Sequence, residues 1–278
     1  MTRGDILNRA SESLRDAGIE SHRLDAELIV AHVLKCDRIK LITERDAEIT
    51  AADSDLINKL TQRRHDGEPS AYILGHREFY GLDFSVDSRV LIPRPETEML
   101  VDLAINCAPE GGKFLDICTG SGAVAIAVKH ARPDLSVSAS DVSPDALAVA
   151  TSNAASITGP ESVRLIHSDV FDAFRGERFD IITANPPYIS PSCEGALQKE
   201  ISYEPDIALY SPDDGFSVIE RIIAGFSEHL LPGGKLFMEI GYDQGARVLS
   251  CAEAHSVRAE IAKDLSGHDR VAVLTPSV

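Results

Sequence analysis

The residue types best suited to chemistry lie in Asn185-Pro186-Pro187-Tyr188, which we call the Asn-Pro-Pro-Tyr motif. It follows the apolar run of residues 179–184, which predicts a buried strand, and ligands in open α/β sheets bind at such strand ends. Proline fixes its own φ and disfavours a helical conformation in the residue before it, so Asn185 and Pro186 are expected to be extended. Because neither proline has an N–H group, a flat amide or amine lying against Tyr188 could donate to the Asn185 side-chain oxygen and to the Pro186 carbonyl. This geometry favours a nitrogen nucleophile.

The motif resembles the catalytic motif of the amino-methyltransferases, which methylate glutamine amides, adenine N6 or cytosine N4. A Pro-Pro pair alone would more often be a stiff turn. The flanking Asn185 and Tyr188 favour the catalytic interpretation. The motif by itself leaves the choice among the three substrates open.

A Gly-rich turn is the second candidate site. Residues 114–127 run from an apolar strand through Gly120 and Gly122 into a helical pattern. Glycine lets the backbone turn tightly and approach a ligand closely, and the start of a helix offers free N–H groups. Asp141 ends the next strand, 21 residues after Gly120, where a carboxylate can bind two ribose hydroxyls. The pattern predicts nucleoside binding.

The spacing Gly120-x-Gly122-x-x-Ala125 also fits the fingerprint of NAD-dependent dehydrogenases. No obvious residue set for hydride chemistry accompanies it. The Asn-Pro-Pro-Tyr motif instead follows the fourth predicted strand, as in methyltransferases that use S-adenosylmethionine. Asp169 and Val170 follow the third strand, where those enzymes hold adenine, so Asp169 could hydrogen-bond the base while Val170 or Phe171 packs on it.

The elements that must position these residues show two patterns. Apolar residues recur at three- and four-residue spacing from Asp5 to about Arg64, which predicts a small domain of three helices. Alternation around Gly81 predicts a short hairpin linking two domains. From Lys113 onward strands and helices alternate, which is typical of a parallel sheet with crossover helices. The predicted strands begin near Phe114, Ser136, Val163, Phe179, Lys235, Val257 and Val271.

Composition limits the partners. The 278 residues include 27 Lys and Arg against 44 Asp and Glu, a formal net charge of −17, so a direct nucleic-acid partner is not expected. The 5 scattered cysteines include no Cys-x-x-Cys pair, which argues against a disulfide framework and a zinc ribbon. Since no signal sequence or apolar run of about 18 residues occurs, we expect a cytoplasmic protein with no membrane partner.

Taken in order along the chain, the motifs resemble those of the PrmC (HemK) family, the release-factor glutamine N5-methyltransferases. The segments that carry the resemblance are Arg77-Glu78-Phe79, residues 91–98, Thr119-Gly120-Ser121-Gly122, the Asn-Pro-Pro-Tyr motif with Ile189, Tyr203-Glu204-Pro205 and Asp269-Arg270-Val271. The resemblance implies an α/β, Rossmann-like class I methyltransferase sheet, with S-adenosyl-L-methionine as cofactor, S-adenosyl-L-homocysteine as product and no metal. The implied substrate is the glutamine of the Gly-Gly-Gln motif in class I peptide chain release factors.

The sequence patterns and the resemblance together assign roles along the chain. They place a helical release-factor docking domain at residues 1–73, a hairpin linker at 74–93 and the methyltransferase domain at 94–278. The catalytic and substrate-binding residues carried over are Asn185, Pro186, Pro187 and Tyr188. The cofactor-binding residues carried over are Cys118, Thr119, Gly120, Ser121, Gly122, Asp141, Asp169, Val170 and Asn185.

Two residues depart from the family pattern. Cys118 stands where glycine is usual, which suggests a slightly less tight turn, and Val170 stands where an aromatic is common, which suggests weaker stacking. The main alternative function is an N6-adenine or N4-cytosine methyltransferase of nucleic acid, which shares the motif but is disfavoured by the net charge of −17. A binding or scaffold module with a relic cofactor site is a second alternative. Arg94 and Glu96 are expected to have a structural or lid role.

Overall fold

The computed structural model describes residues 1–196 and 198–277. These residues form two compact units. The first contains Met1–His76 and Gln198–Tyr203, and the second contains the remaining described residues. None of the described helices is long and apolar enough to cross a membrane.

The first unit is helical, as its apolar periodicity predicts. Its helices are α1 (Arg3–Asp16), α2 (His22–Leu34), α3 (Arg38–Thr43), α4 (Ala51–His65) and α5 (Ser70–Leu74). Helix α1 begins with a capping box, in which Thr2 and Asp5 each accept a hydrogen bond from the other's backbone N–H. Ile6, Ile29 and Ile57 are fully buried and join α1, α2 and α4 into one core.

A buried ion pair closes this unit. The side chain of Arg64 is 2% exposed, and its Nε donates to Asp25 Oδ2 at 2.6 Å. Its Nη2 pairs with Glu200, which belongs to the 3-10 helix Lys199–Tyr203. Because Glu200 lies 136 residues further along the chain, the helical periodicity of residues 5–64 gives no sign of this contact.

A two-stranded hairpin forms where the sequence predicts one. Its strands are β1 (His76–Phe79) and β2 (Leu82–Ser85). Tyr80 and Gly81 connect them with φ values of 54° and 73°. Positive φ at both turn residues is type I′ geometry, whose twist matches that of the flanking strands.

The second unit is built on a 7-stranded sheet. Its strands are β3 (Lys113–Ile117), β4 (Ser136–Asp141), β5 (Arg164–His167), β6 (Phe179–Ala184), β7 (Leu230–Glu239), β8 (Val257–Lys263) and β9 (Asp269–Pro276). They lie in the order β5-β4-β3-β6-β7-β9-β8. Strands β3 to β7 pair in parallel, whereas β9 is antiparallel to both β7 and β8. The predicted α/β, Rossmann-like fold is confirmed, with a mixed sheet.

Helices cover the two faces of the sheet. The helices of this unit are α6 (Glu98–Cys107), α7 (Ala123–Ala131), α8 (Pro144–Ile157), α9 (Asp206–Leu209), α10 (Pro212–Gly215), α11 (Ser217–Gly225) and α12 (Gly245–Ala254). Short 3-10 helices occupy Pro95–Thr97, Asp172–Phe174, Pro191–Ala196 and Phe226–His229. Leu115 belongs to the same hydrophobic cluster as Ile219 of α11, whereas the neighbouring Phe114 belongs to that of Val124 in α7. Because alternate residues of a strand face opposite sides, β3 is buried on both faces along residues 114–117.

The order of the strands fixes where a ligand can bind. From β3 the chain moves outward through β4 and β5, and then returns to β6 on the other side of β3. The strand order therefore reverses between β3 and β6, and ligands bind beyond the carboxyl ends of the strands at such a reversal. The Gly-rich turn follows β3 and the Asn-Pro-Pro-Tyr motif follows β6, so both lie at this point.

Candidate active site

A cavity of about 240 Å³ lies at the carboxyl ends of β3, β4 and β6. The sequence-predicted site residues that line it are Cys118, Thr119, Gly120, Ser121, Asp141, Asp169, Val170, Asn185 and Pro187. Gly122, Pro186 and Tyr188 lie next to lining residues in the chain without lining the cavity themselves. The fold thus brings the Gly-rich turn, the end of β4 and the Asn-Pro-Pro-Tyr motif to one place.

The Gly-rich turn is tight. Cys118, Gly120 and Gly122 all have left-handed backbones, with φ values of 58°, 55° and 83°. A Cβ atom at Gly120 would meet open space, whereas one at Gly122 would lie 2.7 Å from the Ile126 side chain and 3.2 Å from Ala150 Cβ. Gly120 therefore allows close approach from the cavity, and Gly122 allows α7 to pack against α8.

Cys118 adopts the left-handed conformation that favours glycine, so the turn keeps the geometry expected of a glycine there. Burial raises the pKa of the Cys118 thiol, and the carboxylates of Asp141 and Asp116 raise it further. The thiol is accordingly neutral at physiological pH and is a poor nucleophile.

Asp141 is held by backbone donors. Its Oδ2 accepts from the Gly120 N–H at 2.8 Å, and its Oδ1 accepts from the Ser143 N–H at 2.9 Å. Burial raises the pKa of Asp141, and these hydrogen bonds oppose the rise. Since each carboxylate oxygen can accept a second hydrogen bond, Asp141 retains the capacity to bind a pair of hydroxyls.

Asp116 lines the cavity but is not among the site residues predicted from the sequence. It is 2% exposed and accepts hydrogen bonds from the hydroxyls of Thr119 at 2.6 Å and Thr183 at 2.7 Å. Burial raises the pKa of Asp116 to about 7, against the opposing effect of these two bonds. A lone acidic residue inside the apolar strand β3 was the available signal, because a buried carboxylate needs partners or a cation. With Asp141 it makes this part of the cavity favourable for a cation.

Asp169 and Val170 sit at the same edge of the cavity in different environments. Asp169 is exposed and forms an ion pair with Arg221 Nη2 at 2.9 Å. Val170 is 8% exposed and has a φ of 49°, an uncommon conformation for a β-branched residue. The Ser168 hydroxyl donates to the Val170 carbonyl at 3.0 Å, which holds this turn in place.

The Asn-Pro-Pro-Tyr motif is joined to two residues outside it. Asn185 Nδ2 donates to Thr97 Oγ1 at 3.3 Å, and the Thr97 hydroxyl donates to Glu239 Oε2 at 2.7 Å. The Tyr188 hydroxyl donates to the other oxygen of Glu239 at 3.3 Å. Thr97 and Glu239 are not among the site residues predicted from the sequence. Two sequence features could have indicated them. Thr97 is a polar residue within residues 91–98, and Glu239 is a lone acidic residue at the end of the apolar strand β7.

The pKa values of Glu239 and Tyr188 are both raised. Burial raises the pKa of Glu239, while the hydrogen bond from Thr97 and the charge of Arg270 lower it. Burial and the nearby Glu239 raise the pKa of Tyr188, so its phenol stays protonated. Neither Tyr188 nor Cys118 can therefore accept a proton at neutral pH.

The backbone that follows the motif is held by a short parallel bridge. The Ile189 N–H donates to the Leu209 carbonyl at 3.0 Å, and the Ser211 N–H donates to the Ile189 carbonyl at 3.0 Å. Among the described residues, no donor bonds to the carbonyl of Pro186. This carbonyl is therefore an acceptor without a hydrogen-bond partner in the described part of the chain, as the missing N–H groups predict, although Pro186 is buried and does not line the cavity.

The carbonyl of Tyr188 is enclosed from two sides. Gln244 Nε2 donates to it at 3.2 Å. Gly215 has a φ of 80°, and a Cβ atom there would lie 2.4 Å from the Tyr188 oxygen. Only glycine leaves room for the motif's backbone at this contact.

Arg94 lines the cavity and pairs with the buried Glu204. The other oxygen of Glu204 accepts from the Ile92 N–H at 3.0 Å. One carboxylate therefore anchors residues 91–98 at two points, and this segment supplies Thr97.

Comparison with known proteins places the chain beside a set of named relatives. A model of the PrmC N-terminal domain matches residues 5–75, and a model of the methyltransferase small domain matches residues 95–201. The release factor glutamine methyltransferase of Neisseria gonorrhoeae is 43% identical over 252 residues, which cover 90% of this chain and 92% of that protein. The protein of the same name from Koribacter versatilis is 39% identical over 246 residues, which cover 87% of each.

Among solved structures, the chain is similar to a methyltransferase from Pyrococcus furiosus. The TM-score is 0.55 at 16% sequence identity, and the match covers 72% of this chain and 91% of that one. At this identity the likeness supports the fold alone.

Proposed function

Because the chain belongs to the release factor glutamine methyltransferase family, we propose that it transfers a methyl group to the side-chain amide nitrogen of a glutamine in a release factor. The methyl donor is S-adenosyl-L-methionine, and the target is the N5 atom of the glutamine in the Gly-Gly-Gln motif of class I peptide chain release factors. The observation that carries the proposal is that Asn185 and Pro187 line the same cavity as Asp116 and Asp141. The amide-binding motif and the cofactor-binding turn therefore share one site.

The residues of the cavity suit this cofactor. Asp141 would bind the ribose hydroxyls with the two oxygens that Gly120 and Ser143 already orient. A positively charged ligand would stabilise the ionised form of Asp116, whose pKa is raised by burial. Val170 would lie beside the adenine. The bound cofactor supplies an electrophilic methyl group on its sulfonium, and S-adenosyl-L-homocysteine is left after transfer.

The Asn-Pro-Pro-Tyr motif orients the nucleophile. An amide nitrogen is weakly nucleophilic because its lone pair is delocalised into the carbonyl. The side-chain oxygen of Asn185 and the carbonyl of Pro186 would accept its two hydrogens, and Tyr188 would lie along its flat face. Such positioning can supply on the order of 7–11 kcal/mol. It also favours the positive charge that develops on the nitrogen as the new bond forms.

No protein base or metal is required by this scheme. The sulfonium already activates the methyl group, and the nitrogen can lose its proton to solvent after transfer. Cys118 and Tyr188, whose pKa values are raised, act as neutral groups. The motif would orient the amide by accepting its hydrogen bonds and by the contact with Tyr188, without taking a proton.

The helical unit and the hairpin have proposed roles in substrate binding. Residues 1–73 would dock the release factor, residues 74–93 would form the linker and residues 94–278 would carry out catalysis. Methylation of DNA or RNA is the weaker alternative, because a net charge of −17 opposes binding to a phosphate backbone.

The test is a methyl-transfer reaction with purified protein, release factor and cofactor, followed by mass spectrometry of the Gly-Gly-Gln peptide. We expect one added methyl on the glutamine, and none when that glutamine is replaced by alanine. DNA and RNA oligonucleotides assayed in parallel should remain unmodified. Methyl transfer to an oligonucleotide but not to the release factor would contradict the proposal.

A further inference from the structure

Two residues outside the Asn-Pro-Pro-Tyr motif control which way its asparagine faces. We propose that Thr97 and Glu239 are positioning residues that fix the Asn185 carboxamide with its oxygen available to the substrate, and so select a nitrogen that carries hydrogens. The inference rests on the proposed function, since it concerns how the same site recognises its target amide.

The direction of each hydrogen bond follows from the chemistry of the groups. An ionised Glu239 can only accept hydrogen bonds. The single hydroxyl hydrogen of Thr97 is therefore donated to Glu239 Oε2, which lies 2.7 Å from Thr97 Oγ1. Towards Asn185, Thr97 can then only accept. The group of Asn185 that faces Thr97 must be the Nδ2 donor, and it lies 3.3 Å from Thr97 Oγ1. The Oδ1 acceptor of Asn185 is left for the substrate.

Burial protects these hydrogen bonds from replacement by water. Thr97 is 5% exposed and Glu239 is 1% exposed, so solvent cannot readily replace either partner. The second oxygen of Glu239 accepts from the Tyr188 hydroxyl at 3.3 Å. One carboxylate therefore orders both ends of the motif, the asparagine through Thr97 and the tyrosine directly.

A reversed Asn185 would present the wrong group. Its Nδ2 hydrogens would then face the hydrogens of the glutamine amide, and neither donor would have a partner. Losing one such hydrogen bond in a closed site lowers a rate by roughly tenfold to a hundredfold. The chain from Glu239 to Asn185 thus favours a target with N–H hydrogens over one that offers only an acceptor.

The arrangement depends on the charge of Glu239. A protonated Glu239 could donate to Thr97, which would free Thr97 to donate to Asn185 and reverse the amide. The charged and titratable groups that act on Glu239 are Arg270 of β9, which lowers its pKa, and Glu96, which raises it, beside the Tyr188 phenol. Burial is the largest effect and raises the pKa above its ordinary value of 4.5. Methyl transfer should therefore weaken on acidification at a higher pH than an exposed glutamate would give.

Substitutions at Thr97 test the proposal. Thr97→Val keeps the shape and removes the hydroxyl, and Thr97→Ser restores a hydroxyl. We expect Thr97→Val to lower kcat for release-factor methylation by about tenfold to a hundredfold, with cofactor affinity in calorimetry unchanged. Thr97→Ser should recover most of the loss. Thr61→Val is the matched control, because the buried Thr61 hydroxyl has no hydrogen-bond partner among the described residues.

Glu239→Leu tests the same chain from its other end. It removes both acceptor oxygens at similar volume, and the double variant Thr97→Val/Glu239→Leu should be little slower than Glu239→Leu alone, because Thr97 orients Asn185 only while Glu239 holds the Thr97 hydroxyl. The acid limb of the pH profile of kcat should be absent from both single variants.

Unchanged kcat in either single variant, an equal loss in Thr97→Ser and Thr97→Val, or multiplied losses in the double variant would overturn the inference. Should Thr97→Val fail to fold, the Thr97→Ser and Glu239→Leu results decide it. Wild-type protein that methylates no release factor would instead overturn the proposed function, and the inference with it.

Discussion

Replacing Asp116 by Asn tests the electrostatics of the cofactor site with almost no change of shape. Asp116 is 2% exposed, and its carboxylate accepts from Thr119 and Thr183. The amide of Asn can keep one accepted bond and donate to the other hydroxyl oxygen. The main difference between the two side chains is therefore the charge.

The sign of the effect follows from the raised pKa of Asp116, about 7 in the folded protein against a usual value of 3.8. Between these values the unfolded chain is ionised at this residue while the folded protein is protonated, so folding takes up a proton and stability falls as the pH rises. A difference of about 3 between the two pKa values, at about 1.4 kcal/mol each, amounts to about 4 kcal/mol. The full loss applies above about pH 7 and disappears below the unfolded pKa. Asp116→Asn is neutral in both states and avoids it.

The assay is urea unfolding without cofactor at several values of pH. We expect the stability of Asp116→Asn relative to the wild type to rise by about 3 kcal/mol between about pH 5 and pH 8. The same variant should bind S-adenosylmethionine more weakly in calorimetry at the higher pH, because the negative partner for the cation is lost. Asp243→Asn, at an exposed position, is the matched control for replacing one acidic side chain by its amide. A difference for Asp116→Asn that stays constant with pH, or that Asp243→Asn reproduces, would refute the reasoning.

Three further substitutions test other parts of the structure. Asn185→Ala should lower methyl transfer in single-turnover kinetics by roughly 10²–10³-fold while cofactor affinity changes little, and equal turnover would contradict the role of the motif. Gly215→Ala should cost at least about 2 kcal/mol in thermal unfolding and also lower kcat, since its Cβ would lie 2.4 Å from the Tyr188 oxygen at a φ of 80°. Arg64→Met should cost about 3–5 kcal/mol in denaturant unfolding because it leaves Asp25 buried and unpaired, and a wild-type midpoint would show that this pair is not holding the helical unit.

Site residues that belong to a local sequence pattern could be predicted from the sequence. The Gly-rich turn, Asp141 and the Asn-Pro-Pro-Tyr motif each follow an apolar run that becomes a strand, and the parallel topology then brings those strand ends together. The hairpin around Gly81 could be predicted for the same reason, because a tight turn requires particular residue types within a few neighbouring positions.

Residues that act through distant contacts were not predictable. Thr97 bonds to Asn185 across 88 residues and to Glu239 across 142, and no periodicity links such positions. Asp116 was not predicted as a site residue. An acidic residue within an apolar strand is equally compatible with an exposed position in a strand whose residues alternate between core and solvent. The antiparallel placement of β9 between β7 and β8 depends on strand pairing that the sequence pattern leaves open.

Asp116 and Asp141, which line the cavity, and the nearby Glu239 are suited to stabilising positive charge rather than to accepting a proton. Burial raises the pKa values of Asp116, Asp141 and Glu239, so a positively charged ligand would stabilise the ionised form of each of these groups. Methyl transfer to a neutral amide moves one positive charge from sulfur to nitrogen without creating or removing charge in the cavity. In the proposed function, carboxylates that stabilise the cationic cofactor would therefore also stabilise the cationic product until its proton reaches solvent. Because the charge is conserved, the protein has to control the direction from which the nitrogen attacks, and the proposed hydrogen bonds from Asn185 through Thr97 to Glu239 would provide that control.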